Sequence, residues 1–215
     1  MHTMNCLHRW YCRSDHWRRT VQGQILPWTL NRIDLGDMIL EVGPGQGVIT
    51  DWLCCSVKSV ESLEIDRDLA NCLQRRFAGS NVNVRCGDAT RMPYDNCLFS
   101  SVVSFTMLHH IPTTELQDRF FHEAYRVLQP GGIFVGVDSL PSILMTIFHV
   151  RDTLTPVAPH TLAQRLESAG FTETCIDTKS GRIRFSAKRS VDSPVKKSVC
   201  IPNSVEERFD TQLHS

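Results

Sequence analysis

Three glycines at alternate positions, Gly43, Gly45 and Gly47, follow an apolar run that carries Glu41 near its end. A residue without Cβ adopts positive φ cheaply and lets a ligand approach the backbone, so this turn is read as a ligand seat. A dinucleotide turn requires G-x-G-x-x-G. Counted from Gly43, the third glycine falls on Val48, and the pattern fails. Glu64 stands 21 residues beyond Gly43, close to the ~20-residue offset at which nucleotide-binding α/β units present a carboxylate to ribose. A carboxylate can accept two hydrogen bonds from a vicinal diol. Asp66 competes for that role but is better placed to cap the helix that follows. Asp88 lies in Gly87-Asp88-Ala89 directly after another strand, as a ligand contact or as a turn or cap residue. His109 and His110 close the list of reactive side chains. Histidine titrates near neutrality and is the usual general base; the other reading is that the pair only shapes its loop.

The elements that must position these residues follow from periodicity. Residues 38–42 read as a buried strand, 48–53 as the start of a helix, and 59–65 as a second strand before a helix over 67–77. Strands over 81–86 and 98–105 follow, the latter apolar enough to be buried on both faces of a parallel sheet. A helix over 114–128 is stopped by Gln129-Pro130-Gly131-Gly132, and a fifth strand covers 133–137 before Asp138. An amphipathic helix over 159–170 ends at Gly170, and strands 171–177 and 182–187 flank Lys179-Ser180-Gly181. Ahead of all this, 8–22 reads as one helix on which Trp10, Trp17 and Val21 share a face. His8, Cys12 and His16 are spaced i, i+4, i+8 on it; ordinary helix side chains are preferred to a metal site, and no metal is expected. Residues 139–152 form an apolar insertion, read either as a substrate lid or as a helix packed on the sheet.

Glu-Val-Gly-Pro-Gly-Gln-Gly, Leu-Glu-Ile-Asp, Cys-Gly-Asp-Ala, Ser-Phe-Thr-Met-Leu-His-His and Arg-Val-Leu-Gln-Pro-Gly-Gly occur here in one order and spacing. Over residues 35–188 this series resembles the small-molecule (methyltransferase type 11-like) branch of the class I S-adenosylmethionine-dependent methyltransferases. The resemblance implies a Rossmann-like α/β fold, with a seven-stranded, mostly parallel sheet of order 3-2-1-4-5-7-6, the last strand antiparallel, and helices on both faces. It also implies S-adenosyl-L-methionine as cofactor and in-line methyl transfer to a small-molecule acceptor. The cofactor-binding set would be Glu41, Gly43, Gly45, Gly47, Glu64, Asp88, Ala89 and Phe105: glycines beside the methionine portion, Glu64 on the ribose, Asp88 and Ala89 framing the adenine. Glu41 would organise the turn or bind the amino end through water. His109 and His110 would be the catalytic candidates. The first two motifs also resemble the rRNA adenine dimethyltransferases, but those carry an Asn-x-Pro-Tyr-like station where this chain has Ser104-Phe105-Thr106-Met107. A non-catalytic module that binds the cofactor is the third reading.

Length and charge bound these readings. At 215 residues one domain is expected, divided into a helical cap (1–36), a methyltransferase domain (37–189) and a poorly ordered tail (190–215). Lysine plus arginine and aspartate plus glutamate both total 23. No net field therefore steers the protein to nucleic acid or an anionic membrane. Nine scattered cysteines without a C-x-x-C pair favour a reducing compartment. With no apolar stretch of ~18 residues and no secretory h-region, a cytoplasmic protein is expected.

Overall fold

The computed structural model describes residues 10–142, 146 and 153–191. Seven strands form one sheet: β1 (Met38–Val42), β2 (Ser59–Glu64), β3 (Val82–Cys86), β4 (Phe99–Phe105), β5 (Leu128–Ser139), β6 (Phe171–Lys179) and β7 (Arg182–Arg189). Their order is β3-β2-β1-β4-β5-β7-β6. The pairs from β3 to β5 are parallel, whereas β7 runs antiparallel to both β5 and β6. This is the expected topology. Two apolar clusters occupy the two faces. One gathers Phe99, Phe120, Phe121, Phe134 and Phe185; the other gathers Ile39, Leu53, Val60, Val103 and Val135 with Val21, Ile25 and Leu26.

Local chemistry explains the helices. Asp66 caps α4 (Arg67–Arg76) by accepting from the Asp68 and Leu69 amides, as expected. Thr113 caps α5 (Thr114–Val127) through the Leu116 amide. The carboxyl end of α5 is closed by Arg189, whose guanidinium donates to the carbonyls of Tyr125, Arg126 and Leu128 at 2.7–3.1 Å. That cap lets β5 begin at Leu128, paired with Phe99, with a register shift before Ser101. The Pro-Gly-Gly sequence is thus an irregularity inside the strand rather than a separator ahead of it.

The amino-terminal helix differs from the expected span of 8–22. Ser14 accepts from the Trp17 amide, so α1 (Asp15–Thr20) starts there. The helical path then continues through a π turn (Val21–Ile25) into α2 (Leu26–Leu30). Pro27 accounts for the wider turn, because it has no N–H to offer the ordinary i−4 carbonyl and its ring crowds that position. Trp17, Val21 and Ile25 recur every four residues, and Val21 and Ile25 are buried in the core. His8 and most of the 139–152 insertion and 190–215 tail lie outside the described residues. Among the described residues no group of three potential metal ligands occurs, and no helix is long and apolar enough to cross a membrane.

Candidate functional site at the carboxyl ends of the parallel strands

Beyond the ends of β1 to β4 lies a cavity of about 690 Å³, within the ~300–1,000 Å³ range of small-molecule sites. It spans the point where strand order reverses between β1 and β4, the place open α/β sheets present ligands.

The glycine turn forms its floor. Gly43, Gly45 and Gly47 all have positive φ, at 72°, 53° and 74°. A Cβ on Gly43 would lie 2.3 Å from Met107 Cγ, whereas one on Gly45 would meet nothing within 4 Å. Gly43 therefore allows a close approach between two loops, and Gly45 faces open space. Gly47 opens α3 (Val48–Ser56) in the left-handed conformation. Arg76 on α4 braces the outside of this turn. It donates to the Gln46 carbonyl at 2.8 Å and pairs with Asp51 in the first turn of α3. The second oxygen of Asp51 takes Arg18 of α1 at 2.8 Å. Arg13 reaches the Gln46 side chain at 3.1 Å.

Two buried carboxylates stand beside the turn. Glu41 Oε2 accepts from Thr50 at 2.7 Å and Ser62 at 2.8 Å. Burial pushes its carboxyl up to about 7, against the opposing pull of those two hydroxyls. Glu64 is also raised, chiefly by burial; its two oxygens accept from the amides of Asp66 and Gly45, each at 3.0 Å. Glu64 lines the cavity, where a carboxylate oxygen can accept more than one hydrogen bond. Asp88 is exposed at the rim and its Oδ1 accepts from the Thr90 amide and hydroxyl at 2.8 and 2.9 Å. It is thus a turn residue that also lines the cavity, together with Ala89 and Phe105.

The expected histidine pair is divided by the structure. His110 lines the cavity. His109 is 3% exposed and turns away, with Nδ1 2.5 Å from Asp138 Oδ1 and its amide donating to Asp138 Oδ2 at 3.1 Å. The loop carrying both is secured by the buried Gln117 on α5, which donates to the carbonyls of Leu108 and Thr155 at 3.0 and 2.9 Å. The loop starts at Thr106, a β-branched residue at φ 50° whose amide donates to Val137 O at 2.7 Å. Such a residue in the left-handed region is a genuine outlier, of the kind that collects at ligand sites.

Several lining residues escaped the reading of the sequence. Cys12, Trp17, Val21 and Ile25 bring the amino-terminal helix into the wall, and Ile111, Pro112, Leu116 and Thr153 supply the opposite side. The four-residue spacing of Trp17, Val21 and Ile25 was the available signal for the first group. Nothing local marks the second, nor Asp138 as the partner of His109.

The donor set fits a nucleoside that carries a cationic amino acid. Open space lies over Gly45, and the carboxylates of Glu41 and Glu64 line the same cavity as apolar side chains. Residues 40–136 match the methyltransferase domain family. That segment is similar to a methyltransferase domain. The chain is 31% identical over 144 residues to a probable S-adenosylmethionine-dependent methyltransferase of Mycolicibacterium smegmatis, covering 63% of this chain and 52% of that protein. It is 35% identical over 98 residues to ribosomal RNA small subunit methyltransferase A of Pseudomonas fluorescens, covering 45% of this chain and 34% of that one. The alignments thus span about a third to a half of the length of these curated relatives. The fold of the chain is similar to that of Haemonchus contortus phosphoethanolamine N-methyltransferase 2 in complex with S-adenosyl-L-methionine, with TM-score 0.67 at 12% identity, over 86% of this chain and 56% of that chain.

Proposed function

We propose that the protein transfers a methyl group from S-adenosyl-L-methionine to a small-molecule acceptor. The observation that carries this reading is the convergence of the Gly43–Gly47 turn, Glu64 and Asp88 on one cavity at the carboxyl ends of β1, β2 and β3. When bound, the cofactor supplies an activated methyl on a sulfonium, so the chain needs chiefly to hold, orient and exclude water. The turn would lie against the methionine portion. Glu64 would accept from the ribose hydroxyls, and Asp88 with Ala89 and Phe105 would frame the adenine. Glu41, held by Thr50 and Ser62, would organise the turn and place negative charge near the cofactor's amino end. His110 would take the acceptor's proton, while His109, tied to Asp138, would hold the loop in register. We place the domain at 37–189 and assign the amino-terminal cap to the same site, because its side chains line the cavity. The seven described cysteines are free thiols, which supports a cytoplasmic setting.

An RNA acceptor is the second reading, favoured by the similarity to the Pseudomonas fluorescens rRNA enzyme. Zero formal charge and Ser104-Phe105-Thr106-Met107 at the base-gripping station stand against it. A turnover panel separates the readings: S-adenosylhomocysteine formation is measured with phenols, amines, thiols and quinone-like acceptors, and with rRNA fragments. Turnover with a small molecule is expected. Turnover confined to RNA, with salt-sensitive retention, would establish the second reading, and cofactor binding with silence across the panel would favour a binding module.

A further inference from the structure

The cavity wall changes character along its length. Glu41, Glu64, Asp66, Arg67, Asp68 and Asp88 all belong to the ends of β1, β2 and β3 or the start of α4. Much of the remaining wall comes from α1 and its π turn on one side and the loop after β4 with the start of α5 on the other. There the lining is Trp17, Val21, Ile25, Met107, Ile111 and Leu116. Two core clusters from opposite faces of the sheet meet at this opening: Val21 and Ile25 belong to one, Ile111 to the other, with Met107 and Leu116 packed against it. His110 and Cys12 are the titratable groups of this stretch among the described residues. Burial pushes the Cys12 thiol up to about 11, so it stays neutral.

Resting on the methyltransferase reading above, we propose that the acceptor is an uncharged, largely apolar molecule seated between the amino-terminal helix and the loop after β4, presenting a weakly acidic X–H group to His110. A charged group placed there would meet no opposite charge on Trp17, Val21, Ile25, Met107, Ile111 or Leu116, and burying an unpaired ion is costly. A flat or chain-like apolar body instead covers Trp17, Val21 and Ile25 on one side and Ile111 and Leu116 on the other. In the step itself the acceptor atom's lone pair forms the new bond to the methyl carbon. The carbon–sulfur bond breaks with its pair left on sulfur, and the proton passes from the acceptor atom to the His110 imidazole and on to solvent.

The test uses the full chain saturated with S-adenosylhomocysteine, so that binding is read without turnover. Matched phenols are titrated and followed by calorimetry and by tryptophan fluorescence, compared with a Trp17→Phe chain to isolate the Trp17 signal: a 4-alkylphenol, the corresponding 4-carboxyphenol and the 4-aminoalkylphenol cation. The neutral phenol is expected to bind at least ~10-fold more tightly than either ion, about 1.4 kcal/mol. In Leu116→Lys the carboxylate is expected to gain at least ~5-fold relative to the neutral compound, with S-adenosylhomocysteine binding as the folding control. Equal or tighter binding of an ion by the wild type overturns the proposal, as does the failure of every neutral compound when S-adenosylhomocysteine binds. Failure of S-adenosylhomocysteine itself would strike the methyltransferase reading, and the proposal with it.

Discussion

The two ends of the cavity are built in opposite ways. At the cofactor end the cavity-lining groups come in short contiguous motifs, each at the carboxyl end of a parallel strand: 41–46 at β1, 64–68 at β2, 86–90 at β3. At the acceptor end the wall is assembled from segments far apart in the chain, including α1, residues 106–107 and 110–112, Leu116 and Thr153. The first end is polar and depends on backbone conformation. The second is apolar and depends on long-range support from Gln117, Thr155 and Asp138. A site of this form can keep one cofactor seat while its other wall changes with the packing of distant elements.

Substitutions separate the two ends, and the largest effect is expected at Gly45. An arginine there projects into open space, so folding bears only the left-handed cost of about 1–2 kcal/mol. Occupation of the seat should nonetheless weaken S-adenosylmethionine binding at least ~1,000-fold, about 4 kcal/mol, as calorimetry would record. At the other end, His110→Gln should lower turnover by ~100-fold, within the usual range for loss of a general base, while the cofactor's dissociation constant stays put. A matching fall in cofactor affinity would erase the distinction between the ends. Asp138→Ala strips the buried His109 of its Nδ1 and amide partner. It should cost about 1–3 kcal/mol of stability, measured by urea unfolding, and loosen the acceptor loop more than the glycine turn. Arg76→Ala removes the brace at Gln46 and Asp51, which is partly exposed. A rise of ~5-fold in cofactor dissociation constant is expected, about 1 kcal/mol, with Arg76→Lys recovering part of it.

The smallest effect is a pH dependence. Glu41 is raised to about 7 by burial, whereas a carboxyl in the unfolded chain titrates near ~4.3. Between those values the folded state holds more protons than the unfolded one, so this group's contribution favours folding at low pH and fades as pH rises through about 7. Stability should therefore decline across that window in the wild type, and Glu41→Gln should flatten the decline. Cofactor affinity runs the other way. It should rise with pH as Glu41 ionises beside a cationic ligand, and the variant should lose that slope.

The same contrast explains what was legible in the sequence. Strand order, the glycine turn, Glu64 at the end of β2 and the Asp66 cap are encoded within a few residues of one another, where steric and hydrogen-bonding rules act directly. The start of α1 at Ser14 and the π turn before Pro27 were written locally too, in a cap and a proline, but the helical face over 8–22 obscured them. The division of labour between His109 and His110 was not legible, because it depends on Asp138 arriving from β5. Nor was the early start of β5, since Arg189 at the far end of β7 closes α5. The positive φ of Thr106 has no residue-type signal either, as threonine ordinarily avoids that region.

The central claim is that the turn and Glu64 form one cofactor seat, and calorimetric titration of the wild type and Glu64→Ala with S-adenosyl-L-methionine tests it most directly. The expected result is one-to-one binding by the wild type and at least ~10-fold weaker binding by the variant, about 1.4 kcal/mol, with unfolding curves showing both chains folded. No binding by the wild type, or equal binding by a folded Glu64→Ala, would contradict it.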